Sequence, residues 1–155
     1  MRRSRAFLTT LWALLFAILA TALASAQAKP ESLFDFSASV QSLAAAAEKG
    51  VPLPVGRYVL ITGTLRSLEA QDESTLSVRL EIASGEWEGT SRVILRTVYV
   101  ECSGEGFRSL TDRDSPDRLR PGSTILAMGR VLGVRIDPEG TPRVWLEGVH
   151  VRSLD

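Results

Sequence analysis

Residues Leu119–Asp137, LRPGSTILAMGRVLGVRID, decide how this chain is to be read. Pro121 and Gly122 make a turn, and an aliphatic, β-branched run follows it, interrupted by Gly129 and Gly133. Proline presets φ and glycine accepts the reversed conformation of a tight turn, while the residues after them favour a pleated strand. A strand that bends hard around a closed barrel needs positions without a Cβ, because inward bulk blocks closure of the pleat. Leu126, Met128, Leu132, Val134 and Ile136 share one parity, and Ile125, Ala127 and Val131 share the other. With apolar residues on both faces, the strand is expected to be covered on both sides for part of its length.

Upstream, three more strands are expected. In Arg57–Leu68, Val59, Ile61 and Leu65 alternate with Tyr58, Leu60 and Thr62, and Gly63 marks a bulge or coil. After the polar turn AQDES, Leu76, Val78, Leu80 and Ile82 point inward while Ser77, Arg79 and Glu81 point outward, so one face is wet. Ser84–Ser91, SGEWEGTS, reads as a hairpin loop with Trp87 exposed at its centre. In Arg92–Cys102, Val98, Val100 and Cys102 oppose Thr97, Tyr99 and Glu101; Arg96 falls on the apolar parity and implies a register break. Between this strand and the next, Ser115, Pro116 and Asp117 give the start signal of one short helical turn. Downstream, Asp137, Pro138 and Gly140 make a turn into a last strand, Arg143–Ser153. There Val144 and Leu146 hold one parity and Val149 and Val151 the other, which a bulge at Gly148 reconciles.

The first third differs. Arg2, Arg3 and Arg5, the apolar run Leu11–Ala20 and the ending ALASAQA have the order of a secretory signal peptide over residues 1–26, with a retained apolar anchor as the alternative. No cysteine follows the apolar run, so a lipid anchor is not indicated. A polar leader, 27–35, precedes a helix over 36–50. Asp35 is placed to cap it, Phe36, Val40, Leu43 and Ala47 form one apolar stripe, and Gly50 and Pro52 stop it. The stripe is expected to pack on the barrel, since a membrane-surface helix would need more than Lys49 on its polar side. Pro52 and Pro54 stiffen the linker 51–56, and the barrel takes 57–155.

Cleavage after Ala26 leaves 155 − 26 = 129 residues, enough for one domain. It leaves 18 acidic residues against 18 − 3 = 15 Lys and Arg, a net charge of −3. A phosphate-tracking surface usually carries a basic excess, so nucleic acid is not expected as the partner. Cys102 is the only cysteine and is expected to act as a small buried apolar group. His150 is the only histidine, which removes the usual metal clusters and the Ser–His or Cys–His catalytic sets. Asp112, Asp114 and Asp117 lack the glycine and distal glutamate of a calcium loop. No cofactor, no metal and no enzymatic activity are expected.

YVLITGTLRSL, VILRTVYVEC and LRPGSTILAMGRVLGV, with a helical link between the third and fourth strands, resemble the OB-fold, a small Greek-key barrel. With the preceding helix, Phe36–Leu154 resembles the exported bacterial OB-fold proteins, including the tRNA-anti-like family. The resemblance implies a mainly β, five-stranded barrel with one N-terminal helix, acting as a periplasmic or secreted binding module of the cell envelope. In such a barrel the ligand lies across the outer face of strands two and three. Arg79, Trp87, Arg96, Tyr99 and Trp145 are the candidates for that face. Aromatic and arginine side chains suit a protein or peptide partner, the expected one, and would equally stack on sugars or on single-stranded bases. The remaining alternative is a purely structural domain whose face is solvated and crossed by ion pairs such as Arg79 with Glu101.

Overall fold

The computed structural model describes residues 33–72, 76–137 and 139–155, so the expected signal peptide and most of the leader lie outside the described residues. In chain order the elements are β1 (Phe34–Asp35), α1 (Val40–Glu48), β2 (Tyr58–Asp72), β3 (Ser77–Glu88) and β4 (Arg92–Ser103). A 3₁₀ turn (Glu105–Leu110), β5 (Thr124–Ile136) and β6 (Pro142–Ser153) complete them. Strand β2 runs antiparallel to both β3 and β5, and β3–β4 and β5–β6 are antiparallel hairpins. The cylinder closes where Val98–Glu101 of β4 lie parallel to Val144–Glu147 of β6. Five strands joined this way are an OB barrel. The two-residue β1 adds a sixth strand, parallel to β2 at Tyr58 and Val59, and stacks Phe34 on Phe36 and Tyr58.

One parity of every long strand fills the interior. Val59, Ile61, Leu65, Leu80, Ile82, Val98, Val100, Ile125, Val131, Val144 and Leu146 are each no more than 1% exposed. Burial of each such side chain contributes about 1.5–3 kcal/mol, which is why the alternation fixes the register so firmly. Val40, Leu43 and Ala47 of α1 join the same core. In β5 the interior parity is Ile125, Ala127 and Val131 alone. On the other parity Leu126 and Met128 are half-buried while Leu132, Val134 and Ile136 are exposed, so the strand is covered on both sides only as far as Met128. Gly129 does what a curved strand requires: a Cβ there would stand 2.8 Å from the carbonyl oxygen of Glu147.

Four boundaries differ from expectation. The helix begins at Val40, because Ser39 and Ser42 form a reciprocal capping box, while Asp35 accepts from the amide and hydroxyl of Ser37 instead. Phe36 is 75% exposed and outside the stripe. Ser84–Glu88 are strand, not loop: each residue pairs with Arg92–Arg96, and the hairpin turns only at Gly89–Ser91. The helical turn forms at Glu105–Leu110, where Phe107 and Leu110 pack on the core, whereas the Ser115 hydroxyl and carbonyl accept the amides of Asp117 and Arg118 in an isolated turn. Leu76, expected inward, takes φ 48° in the turn before β3. The bulge in β6 is present: Met128 pairs with His150 and Gly129 with Gly148, so Val149 is the extra residue.

Candidate functional site

Since Leu80, Val98, Val100, Val144 and Leu146 point inward, their odd-numbered neighbours on β3, β4 and β6 point out. Register then places Glu81, Tyr99 and Trp145 in one row and Arg79, Glu101 and Glu147 in the next. The Tyr99 and Trp145 rings lie 5.0 Å apart, inclined at 39°. The Arg79 guanidinium stands 5.5 Å from the Tyr99 centroid and 5.7 Å from that of Trp145. Arg135 lies 4.4 Å from the Trp145 centroid. Two arginines thus flank an aromatic pair, the favourable geometry of a cation over a ring face. They cover it well enough that Trp145 is only 8% exposed, and its indole N–H is buried without a hydrogen-bond partner among the described residues. Burial raises the Tyr99 hydroxyl above its ordinary pKa of 10.0, and Glu81 beside it adds to the effect.

Each arginine of this face has a carboxylate. Arg66 pairs with Glu81 at 3.4 Å, Arg135 with Glu101 at 3.3 Å, Arg130 with Glu147 at 2.6 Å, Arg143 with Asp137 at 3.0 Å, and Arg79 with Glu69. The face is therefore close to neutral, and its arginines offer flat surfaces and spare N–H groups rather than excess charge. Apart from Arg143–Asp137, whose carboxylate is buried and held by main-chain amides, these are exposed pairs that contribute about 1 kcal/mol or less each, so a ligand anion can replace a carboxylate at little cost. Arg143 also donates to the Thr97 hydroxyl at 2.8 Å, which satisfies the one buried polar side chain of β4. Asp137 accepts the amides of Thr141 and Glu139, and the Thr141 bond above all holds its carboxyl below the ordinary 3.8.

Of the five residues expected at the site, the structure brings Arg79, Tyr99 and Trp145 together. Trp87 lies on the same face, further along the β3–β4 hairpin, 68% exposed beside Val93 and Leu95. Arg96 is on the reverse face. It donates to Glu48 at 3.1 Å and to Gln41 at 3.0 Å, both on α1, and approaches Glu86 at 3.6 Å. There it clamps the helix to the hairpin, which explains its place on the inward parity without any register break. Arg135, Arg143 and Glu69 were not foreseen. Arg135 reaches the cluster because the β5 register shifts between Val131 and Gly133, leaving Leu132 as the extra residue. The ion pair expected between Arg79 and Glu101 is divided, Arg79 taking Glu69 and Glu101 taking Arg135.

No protein-family model matches the chain, and neither does any curated protein. Among solved structures the chain is similar to the small single-stranded DNA-binding protein of Streptomyces coelicolor. That likeness has 12% identity and a TM-score of 0.43, and covers 62% of this chain and 90% of that one. It is similar too to the mitochondrial single-stranded DNA-binding protein Rim1 of S. cerevisiae, at 14% identity and TM-score 0.45, over 63% and 94%. A putative aspartyl-tRNA synthetase from Leishmania major is similar at 12% identity and TM-score 0.50, over 88% of this chain and 26% of that chain. Two expectations are corrected on these findings. Nucleic acid was set aside on net charge, yet the solved structures sharing the fold include single-stranded DNA-binding proteins; stacking on neutral aromatic–arginine surfaces needs no basic excess. The periplasmic or secreted placement is withdrawn as well: the leader that suggested it lies outside the described residues, and the neighbours, one of them a mitochondrial protein, give it no support. At these identities the likeness bears on the fold alone, and it is the strand pairing of this chain that makes it an OB barrel.

Proposed function

We propose that this chain is a non-enzymatic binding module, and that the outer face of β3, β4 and β6 takes single-stranded nucleic acid by stacking. The observation that carries the reading is the Tyr99–Trp145 pair, 5.0 Å between centroids, flanked by Arg79 and Arg135. Bases and guanidinium planes compete for the same ring faces, so a base can enter the stack where an arginine now lies. The displaced arginine exchanges its carboxylate for a phosphate oxygen. Its movement also uncovers the unpartnered indole N–H of Trp145, a donor that a base carbonyl would satisfy. Because the face is neutral, affinity rests on rings more than on counterion release, and its salt dependence is shallow.

The test is anisotropy of a labelled oligothymidylate titrated with the protein. Tyr99→Ala should weaken binding about 5- to 150-fold, the range of about 1–3 kcal/mol that stacking on one base contributes. Absence of binding at low salt, or equal binding by Tyr99→Ala, defeats the reading. A second reading rests on a separate observation: Trp87, Val93 and Leu95 are all at least half exposed on one face of the hairpin. Aromatic and aliphatic residues grouped this way suit a protein surface. Under that reading Trp87→Ala abolishes capture of a partner while oligothymidylate binding is unchanged.

A further inference from the structure

The parallel pairing that closes the barrel ends at Glu101 and Glu147. One residue on, at Gly148, the two strands still touch, since a Cβ there would meet the Cys102 sulfur. Then they separate. Gly104 takes φ 103°, a conformation that only glycine adopts without strain, and turns the chain away into Glu105–Leu110. The amide of Leu119 donates to the carbonyl of Leu110 at 3.0 Å, which holds the returning loop as a wall. Strand β6 continues to Ser153 with β5 as its only partner among the described residues.

Between wall and strand lies a cleft of about 670 Å³, lined by Phe107, Leu110 and Pro116 on one side and by Val149–Ser153 on the other. A strand bonded along one edge turns the N–H and C=O groups of alternate residues away from its partner. Those of Val149–Ser153 therefore face the cleft, and no main-chain or side-chain group among the described residues bonds to them there. The ribbon Ser84–Glu88/Arg92–Arg96 also has open edges, but there α1 already lies against it, Gln41 donating to the carbonyls of Ser84 and Ile94. Here the open edge is about 16 Å long, five residues at the rise of a strand, and faces a wall in which Phe107, Leu110 and Pro116 alternate with Ser109 and Asp117.

We propose that this cleft is a second binding site, in which an extended peptide segment adds a strand to β6 along Val149–Ser153. Main-chain hydrogen bonds would supply affinity, and alternate side chains would meet Phe107 and the half-exposed Val149. Arg152 lines the same edge, exposed and without an ion pair among the described residues, unlike the arginines of the aromatic face. It selects an acidic side chain in the segment. His150 lies beside it; Asp117 and Asp155 are the other charged lining residues, and Asp155 is already engaged by the Thr124 amide at 2.9 Å. None of these residues belongs to the aromatic cluster, so the proposal stands whether or not nucleic acid binds there.

The probe is a display library of random peptides, panned against the full chain and, in parallel, against Gly106→Trp. Gly106 lines the cleft and an added Cβ there meets nothing within 4 Å, so the bulk fills the cleft without disturbing the core. Enriched peptides should alternate apolar with acidic residues and slow amide exchange of Val149–Ser153 at least about tenfold. N-methylation of the amides facing β6 should abolish binding, and methylation of the opposite set should not. Arg152→Glu should shift selection to basic residues. Enrichment no greater than on Gly106→Trp overturns the proposal, as does insensitivity to N-methylation. So does protection of Val149–Ser153 that grows with protein concentration alone, which would mark a second copy as the occupant, or that appears with oligothymidylate.

Discussion

The guanidinium of Arg135 lies 4.4 Å above the centre of the Trp145 indole. A cation so placed contributes about 0.5–1 kcal/mol when exposed and about 2 kcal/mol when desolvated. Arg135→Ala should therefore lower stability to urea by about 1 kcal/mol and shift Trp145 emission to the red, read in a Trp12→Phe/Trp87→Phe background that leaves Trp145 as the one tryptophan. Arg135→Lys, which keeps the charge and loses the plane, should restore only part of both.

Gly129 faces backbone, which cannot yield as a side-chain tip can. Gly129→Val should destabilise the barrel by about 3 kcal/mol or more, at the upper end of overpacking costs, or prevent folding. Gly106→Ala is the control, having open space around it, and should change thermal stability by less than about 0.5 kcal/mol.

Arg96 holds α1 through Glu48 and Gln41 with 12% of its side chain exposed. Glu48 and Glu86 are themselves 44% and 63% exposed, so what the truncation loses is the charged hydrogen bond to part-buried Gln41 and the packing of the Arg96 stem. Arg96→Ala should cost about 2 kcal/mol in chemical denaturation and leave oligothymidylate affinity unchanged. A large loss of affinity at unchanged stability would return Arg96 to the ligand face.

Burial pushes the Cys102 thiol up to about 12. In the native state it should stay unreactive towards a disulfide reagent at pH 8, and react at the rate of unfolding. Rapid native labelling would show a strand end that opens.

Asp137 has a folded pKa depressed from 3.8, chiefly by the Thr141 amide. A depressed carboxylate contributes stability that is present above its unfolded pKa and lost as pH falls through the folded one. The β5–β6 turn should thus be insensitive to pH above about 5 and loosen below 3.8, seen in the Thr141 amide chemical shift. Asp137→Asn should flatten that dependence.

The barrel was legible because most of its strand length is buried on one side only. Leu80 and Ile82 against Arg79 and Glu81, or Val98 and Val100 against Tyr99, leave a single workable register. The hairpin tip was not: Gly85 and Gly89 read as loop, yet cross-strand pairing of Trp87 with Val93 carries the ladder to the end. The site was half legible. Arg79, Tyr99 and Trp145 share faces that alternation predicts, whereas Arg135 joins them through a bulge, and a one-residue slip inverts every outward assignment after it. Arg96 misled because inward parity near a barrel mouth leads to the packed helix, where a charge finds partners, and not to the core.

The parallel seam between β4 and β6 is only four residue pairs long, and β2 waits for β5 across more than fifty intervening positions. During synthesis, the meander of β2, β3 and β4 keeps its β2 margin unmatched until β5 has left the ribosome and its β4 margin unmatched until β6 has. Closure of this cylinder is thus a late, single event, and its speed is set by how long that unfinished half avoids pairing with a neighbour's.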